Sequence, residues 1–320
     1  MQKSPNPSKI NTKKRGNCIG FWFFKVFLKF SGLPGAYALL YFVSLHYLLF
    51  DQSARLGALS YIHRRFPQGG FFKSRLEVYR LFISQGKQLI DRAAILSEKN
   101  LFDIQLKGYE QLSSLLADKN KGFVLLTAHV GNWQIALTTL KKMAKPVYLM
   151  MRPEDNSALK ESLNIDQQDN FIKIISPEGY LGGVVEAMQV LKEGHIVSIM
   201  GDRKYGFEAL QVSFLKDKAY FPFGAFSLAA SSNCPVVVLL SAKLPGNKYT
   251  VDVSHILYPR YNSNKGKREQ LKVYVQEFAD ILDEYVTQYP YQCFLFHNVW
   301  NNSGDTTLNS PELKGGKHGR

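Results

Sequence analysis

With 320 residues, 45% of them hydrophobic and 21% charged, the chain can bury a sizeable core as one large α/β domain, and no second domain is apparent. Its formal net charge is +14, and Lys3, Lys9, Lys13, Lys14, Arg15, Lys25 and Lys29 stand in the first fifty residues without a single acid. No zinc-finger, homeodomain or RRM-type signature accompanies these charges, so they argue against nucleic acid and for an anionic membrane surface, where each basic residue contributes about 1 kcal/mol.

Residues 1–17 form a basic polar tail, for which disorder is the expectation, as it is for residues 303–320. From Ile19 to Phe50 aromatic and aliphatic residues dominate, interrupted by Lys25 and Lys29 and broken by Ser31-Gly-Leu-Pro-Gly35. The uninterrupted part, Ala36 to Phe50, is 15 residues long, whereas a spanning helix needs about 20. Residues 18–50 therefore read as two membrane-embedded or interfacial helices joined by a turn, with the lysines reaching to the headgroups. One spanning helix through residues 30–50 is the alternative. The apolar stretch starts late, is long and is followed by no small-residue cleavage site, which argues against a cleavable signal peptide.

Residues 51–118 read as helical and lead into the first core strand, Gly122-Phe-Val-Leu-Leu-Thr-Ala128, which is short, continuous and apolar in the manner of a buried parallel strand. Further strands are expected at Pro146–Met151, Ile172–Ser176, His195–Gly201, Pro235–Lys243 and Tyr249–Leu257. Helices are expected at Gly131–Met143, Tyr180–Glu193 and Arg268–Gln288. This alternation predicts an α/β fold with a mostly parallel central sheet flanked by helices, occupying residues 51–302 after the membrane-associated helical segment. Cys18, Cys234 and Cys293 are odd in number and lack metal spacing, which points to a reducing compartment. The histidines at 46, 63, 195, 255, 297 and 318 show no zinc-type pairing, so neither a metal nor another cofactor is expected.

The segment Thr127-Ala-His-Val-Gly-Asn-Trp-Gln134 sets one histidine, His129, at the carboxyl end of that first strand. Ligands of open α/β sheets bind at this edge, so a titratable side chain there is well placed for chemistry. Three further motifs follow in order: Met200-Gly-Asp-Arg203; Val212-Ser-Phe-Leu-Lys-Asp-Lys-Ala-Tyr-Phe-Pro-Phe-Gly224 leading into Phe226-Ser-Leu-Ala229; and Tyr289-Pro-Tyr-Gln292 before Trp300. Together they resemble the lipid A biosynthesis acyltransferases of the lysophospholipid acyltransferase superfamily, over roughly residues 18 to 300. In that family the histidine is followed five positions later by a carboxylate. This chain has Gln134 there, and it lacks the glycine common near Lys216 and the proline common near Ala225.

The resemblance implies transfer of an acyl group from acyl carrier protein or acyl-CoA to a hydroxyl of a lipid or glycolipid acceptor, at the cytoplasmic face of the bacterial inner membrane. Such a transfer needs a base for the hydroxyl proton, and an imidazole with an ordinary pKa of about 6.5 suits that task. His129 is the candidate. Gln134 can accept from a ring nitrogen without supplying charge, and Asp202, at the end of another apolar strand, is the substitute acid. Arg203 suits a phosphate on donor or acceptor, or else a surface ion pair within its loop. Lys204 is a weaker substrate contact, as is Lys218, and either reads equally well as solvated. Phe221 and Gly224 are expected in a turn against the acceptor or acyl groove. Asn132 and Trp133 read as helix-start and packing residues. The alternative suggested by Gln134 is a non-catalytic lipid-binding relative.

Overall fold

The computed structural model describes residues 18–97, 101–140, 145–151, 171–176, 180–203, 208–262, 266–295 and 299–300. The strands are β1 Asp103–Lys107, β2 Phe123–Thr127, β3 Val147–Met150, β4 Ile172–Ile175, β5 Ile196–Met200, β6 Ala209–Phe214, β7 Asp217–Pro222, β8 Val236–Leu244 and β9 Lys248–Leu257. The helices are α1 Cys18–Phe50, α2 Gln52–Arg65, α3 Phe71–Ser97, α4 Tyr109–Ala117, α5 Trp133–Leu140, α6 Val184–Lys192, α7 Gly224–Ser231 and α8 Lys267–Gln288.

Among the described residues seven strands form the central sheet, in the order β1-β9-β8-β2-β5-β3-β4. All neighbours run parallel except β8 and β9, a long antiparallel hairpin. Every residue of β2 is buried, because both faces of the sheet are covered. Val124 and Leu126 join Val197, Val238, Phe226 and Phe278 in one core, beneath α2, α3, α6, α7 and α8. Phe123 and Leu125 join Ile196, Val237, Leu112 and Ala136 in another, beneath α4 and α5. A strand packed on both sides must be apolar throughout, which is why β2 reads as a continuous run and not an alternating one.

Helix α1 is kinked at Gly32, whose φ of 62° and ψ of −165° suit a residue without Cβ, and Pro34 follows inside the helix. The break expected at Ser31–Gly35 is thus present, as a kink at which two helices meet. Beyond it, Leu33, Ala36, Leu40, Ser44 and Leu48 are buried, spaced at three to four residues so that one helical face packs on α3. The opposite face leaves Phe30, Phe42 and Phe50 more than 70% exposed. Residues Val26–Phe50 have the length and the mean hydropathy, 1.5, of a membrane-crossing helix.

Two expectations need correction. Residues 51–118 are not helical throughout, because β1 lies among them and pairs in parallel with β9 at the sheet edge. Its burial alternates residue by residue, and five alternating residues are too short a signal to stand out. The stretch around Phe221 and Gly224 is not a substrate-facing turn. Phe221 belongs to β7 of the β6–β7 hairpin and Gly224 opens α7, while the hairpin closes through a two-residue loop in which Leu215 and Lys216 have φ of 52° and 61°. Lys216 thus occupies a left-handed position that favours glycine, the residue its family resemblance leads one to expect there. The expected helix starts shift slightly: α5 begins at Trp133, and Tyr180–Gly183 is a 3₁₀ turn before α6. The two terminal tails, residues 1–17 and 303–320, lie outside the described residues, as do Lys204 and the end of the Gly131–Met143 helix.

Candidate active site

The parallel register of β2 and β5 builds the site. Thr127 stands opposite Met200, and Gly201 donates its N–H to the Thr127 carbonyl at 2.9 Å. Two residues beyond each strand end come His129 and Asp202, side by side at the carboxyl edge of the sheet. The His129 backbone N–H donates to Asp202 Oδ2 at 2.7 Å, and its ring Nδ1 lies 2.9 Å from Oδ1 and 3.0 Å from Oδ2. Asp202 has no exposed surface, whereas the His129 side chain is 17% exposed.

Burial alone would raise the Asp202 pKa, but the adjoining His129, its hydrogen bonds and the Arg203 charge outweigh that and hold the carboxyl below its ordinary value. An ionised carboxylate only accepts, so Nδ1 carries the ring proton and Nε2 is left as the basic nitrogen. This is the geometry by which a buried aspartate selects the tautomer of a general-base histidine.

The loop carrying His129 is clamped from three sides. Phe294 donates its N–H to the His129 carbonyl at 2.8 Å, and Gly131 donates to the Gln292 carbonyl at 2.8 Å, so the Tyr289–Gln292 motif lies directly behind the histidine. Gly131 has a φ of 52°, and a Cβ there would sit 1.5 Å from the Ser241 carbonyl oxygen, which leaves no room for any side chain. Asn132 receives no less support: its N–H donates to Ser241 Oγ at 2.8 Å and its Nδ2 to the Gln88 carbonyl of α3 at 2.9 Å.

His129 lines a cleft of about 160 Å³ together with Gln88, Leu89, Arg92, Trp133, Gln134 and Arg203. The cleft therefore gathers Arg203 beside the His129–Asp202 pair. Gln134 lines it too, and its Oε1 accepts from Arg92 Nη1 at 2.6 Å. Of the two groups expected to orient the ring, Asp202 is the one on Nδ1. The expectation for Phe221 is corrected. It is wholly buried, tilted between Phe214 and Phe278 at ring-centroid distances of 5.5 and 6.1 Å, so it has no surface to offer a substrate. Gly224 is the exposed first residue of α7, and Lys218 is exposed on β7. Among the described residues no group of three metal-ligating side chains stands together.

Sequence reasoning missed Arg92 and Gln88. Both belong to α3, far upstream of the histidine motif, and only the packing of α3 across the loop after β2 brings them to the cleft.

The molecule is thus an α/β protein with a histidine–aspartate pair at the carboxyl edge of a mostly parallel sheet, beside a cleft carrying two arginines. Residues 80–302, more than half of the chain, match the family described as bacterial lipid A biosynthesis acyltransferase, and the chain belongs to that family. The family supports acyl transfer to lipid acceptors as its general activity. Among solved structures, the 1-acyl-sn-glycerophosphate (LPA) acyltransferase PlsC from Thermotoga maritima is similar with a TM-score of 0.36 and 16% identity, covering 78% of this chain and 94% of that one. No curated protein matches the chain.

Proposed function

We propose that this acyltransferase moves a fatty acyl group from the thioester of acyl carrier protein or CoA to a hydroxyl of a lipid or glycolipid acceptor. His129 is its general base and Asp202 the carboxylate that positions it. The observation that carries this reading is the buried Asp202 carboxyl 2.9 Å from His129 Nδ1. Nε2 takes the proton of the acceptor hydroxyl as its oxygen attacks the thioester carbonyl carbon, and the C=O pair moves onto oxygen. Collapse of that tetrahedral species restores the carbonyl and breaks the C–S bond, and the departing sulfur takes the proton back from the imidazolium. Asp202 stabilises the imidazolium between the two steps. Arg203, with Lys204 next in sequence, is suited to a phosphate on donor or acceptor.

Membrane association follows from the exposed aromatic face of α1 and the basic amino-terminal region, and the family implies the cytoplasmic face of the bacterial inner membrane as the site of work. The rival reading, a non-catalytic lipid-binding relative, draws on Gln134 alone, and Asp202 supplies the charge that Gln134 lacks.

The test is transfer of labelled acyl groups from acyl carrier protein and from CoA into a lipid extract of the source cells by detergent-purified protein. His129→Ala is expected to abolish transfer. Asp202→Asn is expected to lower it by about 10⁴-fold, as loss of the aspartate does in the serine-protease template. Transfer that survives His129→Ala would sink the assignment.

A further inference from the structure

Arg92 stands on α3, one turn beyond Gln88 and Leu89, and faces the same cleft as His129 and Arg203. Its partner is neutral: Nη1 donates to the side-chain carbonyl of Gln134 at 2.6 Å. Burial pushes the Arg92 guanidinium below its ordinary pKa, and among the described residues no carboxylate opposes that shift. A guanidinium partly withdrawn from water beside an amide keeps its charge uncompensated, and a fork of donors of this shape matches phosphate or carboxylate. A carboxylate at position 134 would close an ion pair on Arg92. Glutamine holds the guanidinium in place without neutralising it.

We propose that Arg92, held by Gln134, is an anion subsite for the acceptor, taking a phosphate or carboxylate group set beside the hydroxyl that His129 deprotonates. The proposal rests on the acyltransferase reading and narrows its acceptor to an anionic amphiphile. The acceptor is favoured over the donor because of where Arg92 sits. Leu89, 42% exposed at the lip of the cleft, belongs to the helix that carries α1 and its exposed apolar face. A lipid lying along that side presents its headgroup to Arg92.

The subsite is tested by binding, without donor, in nonionic micelles. The probes are dodecyl phosphate, dodecanoate, dodecanol and free phosphopantetheine, followed by tryptophan fluorescence, since Trp133 lines the cleft. Wild type is expected to prefer dodecyl phosphate or dodecanoate over dodecanol. Arg92→Gln and Gln134→Glu are each expected to reduce that preference roughly 10- to 100-fold, the worth of one hydrogen bond to a charged group. Lys272→Gln, which removes one exposed charge on α8, is expected to keep it. Gln134→Glu leaves the arginine in place and pairs it, so its effect separates charge from folding.

A preference that persists in both cleft variants overturns the subsite, as does phosphopantetheine as the one probe weakened, which assigns Arg92 to the donor. Acyl transfer that depends on His129 with no anion preference leaves the enzyme and removes the subsite. Anion preference without transfer to any acceptor leaves the subsite and removes the acyltransferase reading.

Discussion

Asp202 is buried without exposed surface, yet its carboxyl is held below the usual range because His129 donates to it from backbone and ring alike. A carboxyl whose folded pKa is lowered adds stability above its unfolded value, about 3.9, and that stability is lost as pH falls through the folded value. Asp202→Asn should therefore cost about 1.5–3 kcal/mol at neutral pH, as losing hydrogen bonds to a buried charged group does. The deficit should shrink as pH falls below about 4, where the carboxyl of the unfolded chain takes up its proton while that of the fold is still held ionised. Urea unfolding in one detergent at pH 7 and pH 3.5 measures both; a deficit independent of pH would show that the carboxyl is not ionised in the fold. The pair was legible in the sequence because each member follows an apolar strand, and the parallel register of those strands does the rest. The partner of Gln134 was hidden for the opposite reason. The spacing of Gln134 from His129 is local, but its partner Arg92 is set by tertiary packing that no local pattern encodes.

Between elements, a second buried charge joins the amino-terminal helix to the sheet. Lys243 of β8 meets Asp91 of α3 at 2.7 Å, with side chains 13% and 0% exposed. Tyr37 of α1 and Tyr249 of β9 also donate to Asp91. The Lys243 ammonium stands 5.0 to 5.6 Å from the rings of Tyr249, Phe102 and Tyr37. Removing one ion of such a pair strands the other, so Lys243→Met should destabilise by about 3–5 kcal/mol, and adding Asp91→Asn should restore part of the loss. Denaturant unfolding of both single variants and the double one reads the coupling; effects that simply add would mean that Asp91 is satisfied without Lys243. The sequence announced the elements that this cluster ties together unevenly. Strands β2, β5, β8 and β9 are apolar enough to stand out. Strand β1 is a short alternating edge, and the β6–β7 hairpin turns through Leu215 and Lys216 in place of the glycine or asparagine that marks such loops.

The molecule as a whole is asymmetric, and α1 sets the asymmetry. Its inner face is packed on α3 through Leu33, Ala36, Leu40 and Leu48, so lipid cannot surround it. Its outer face and the start of α3 expose Phe42, Phe50, Phe71 and Phe72 at 74%, 73%, 67% and 86%. Rings this exposed are poorly suited to water but fit the headgroup boundary, where one side of a helix is buried and the other stays with the protein. The net charge of +14 adds attraction to an anionic surface. Each phenylalanine is worth about 1.5–3 kcal/mol on full burial and less at an interface. Phe42→Ser, Phe50→Ser and Phe72→Ser combined should then lower partition onto vesicles containing anionic lipid by at least about 100-fold. Raising the salt should weaken wild-type binding only in part, because the aromatic contribution is not screened. Sedimentation with vesicles at low and high salt separates the two contributions. Binding that disappears with salt alone, or that ignores the three substitutions, would take the membrane contact away from this face.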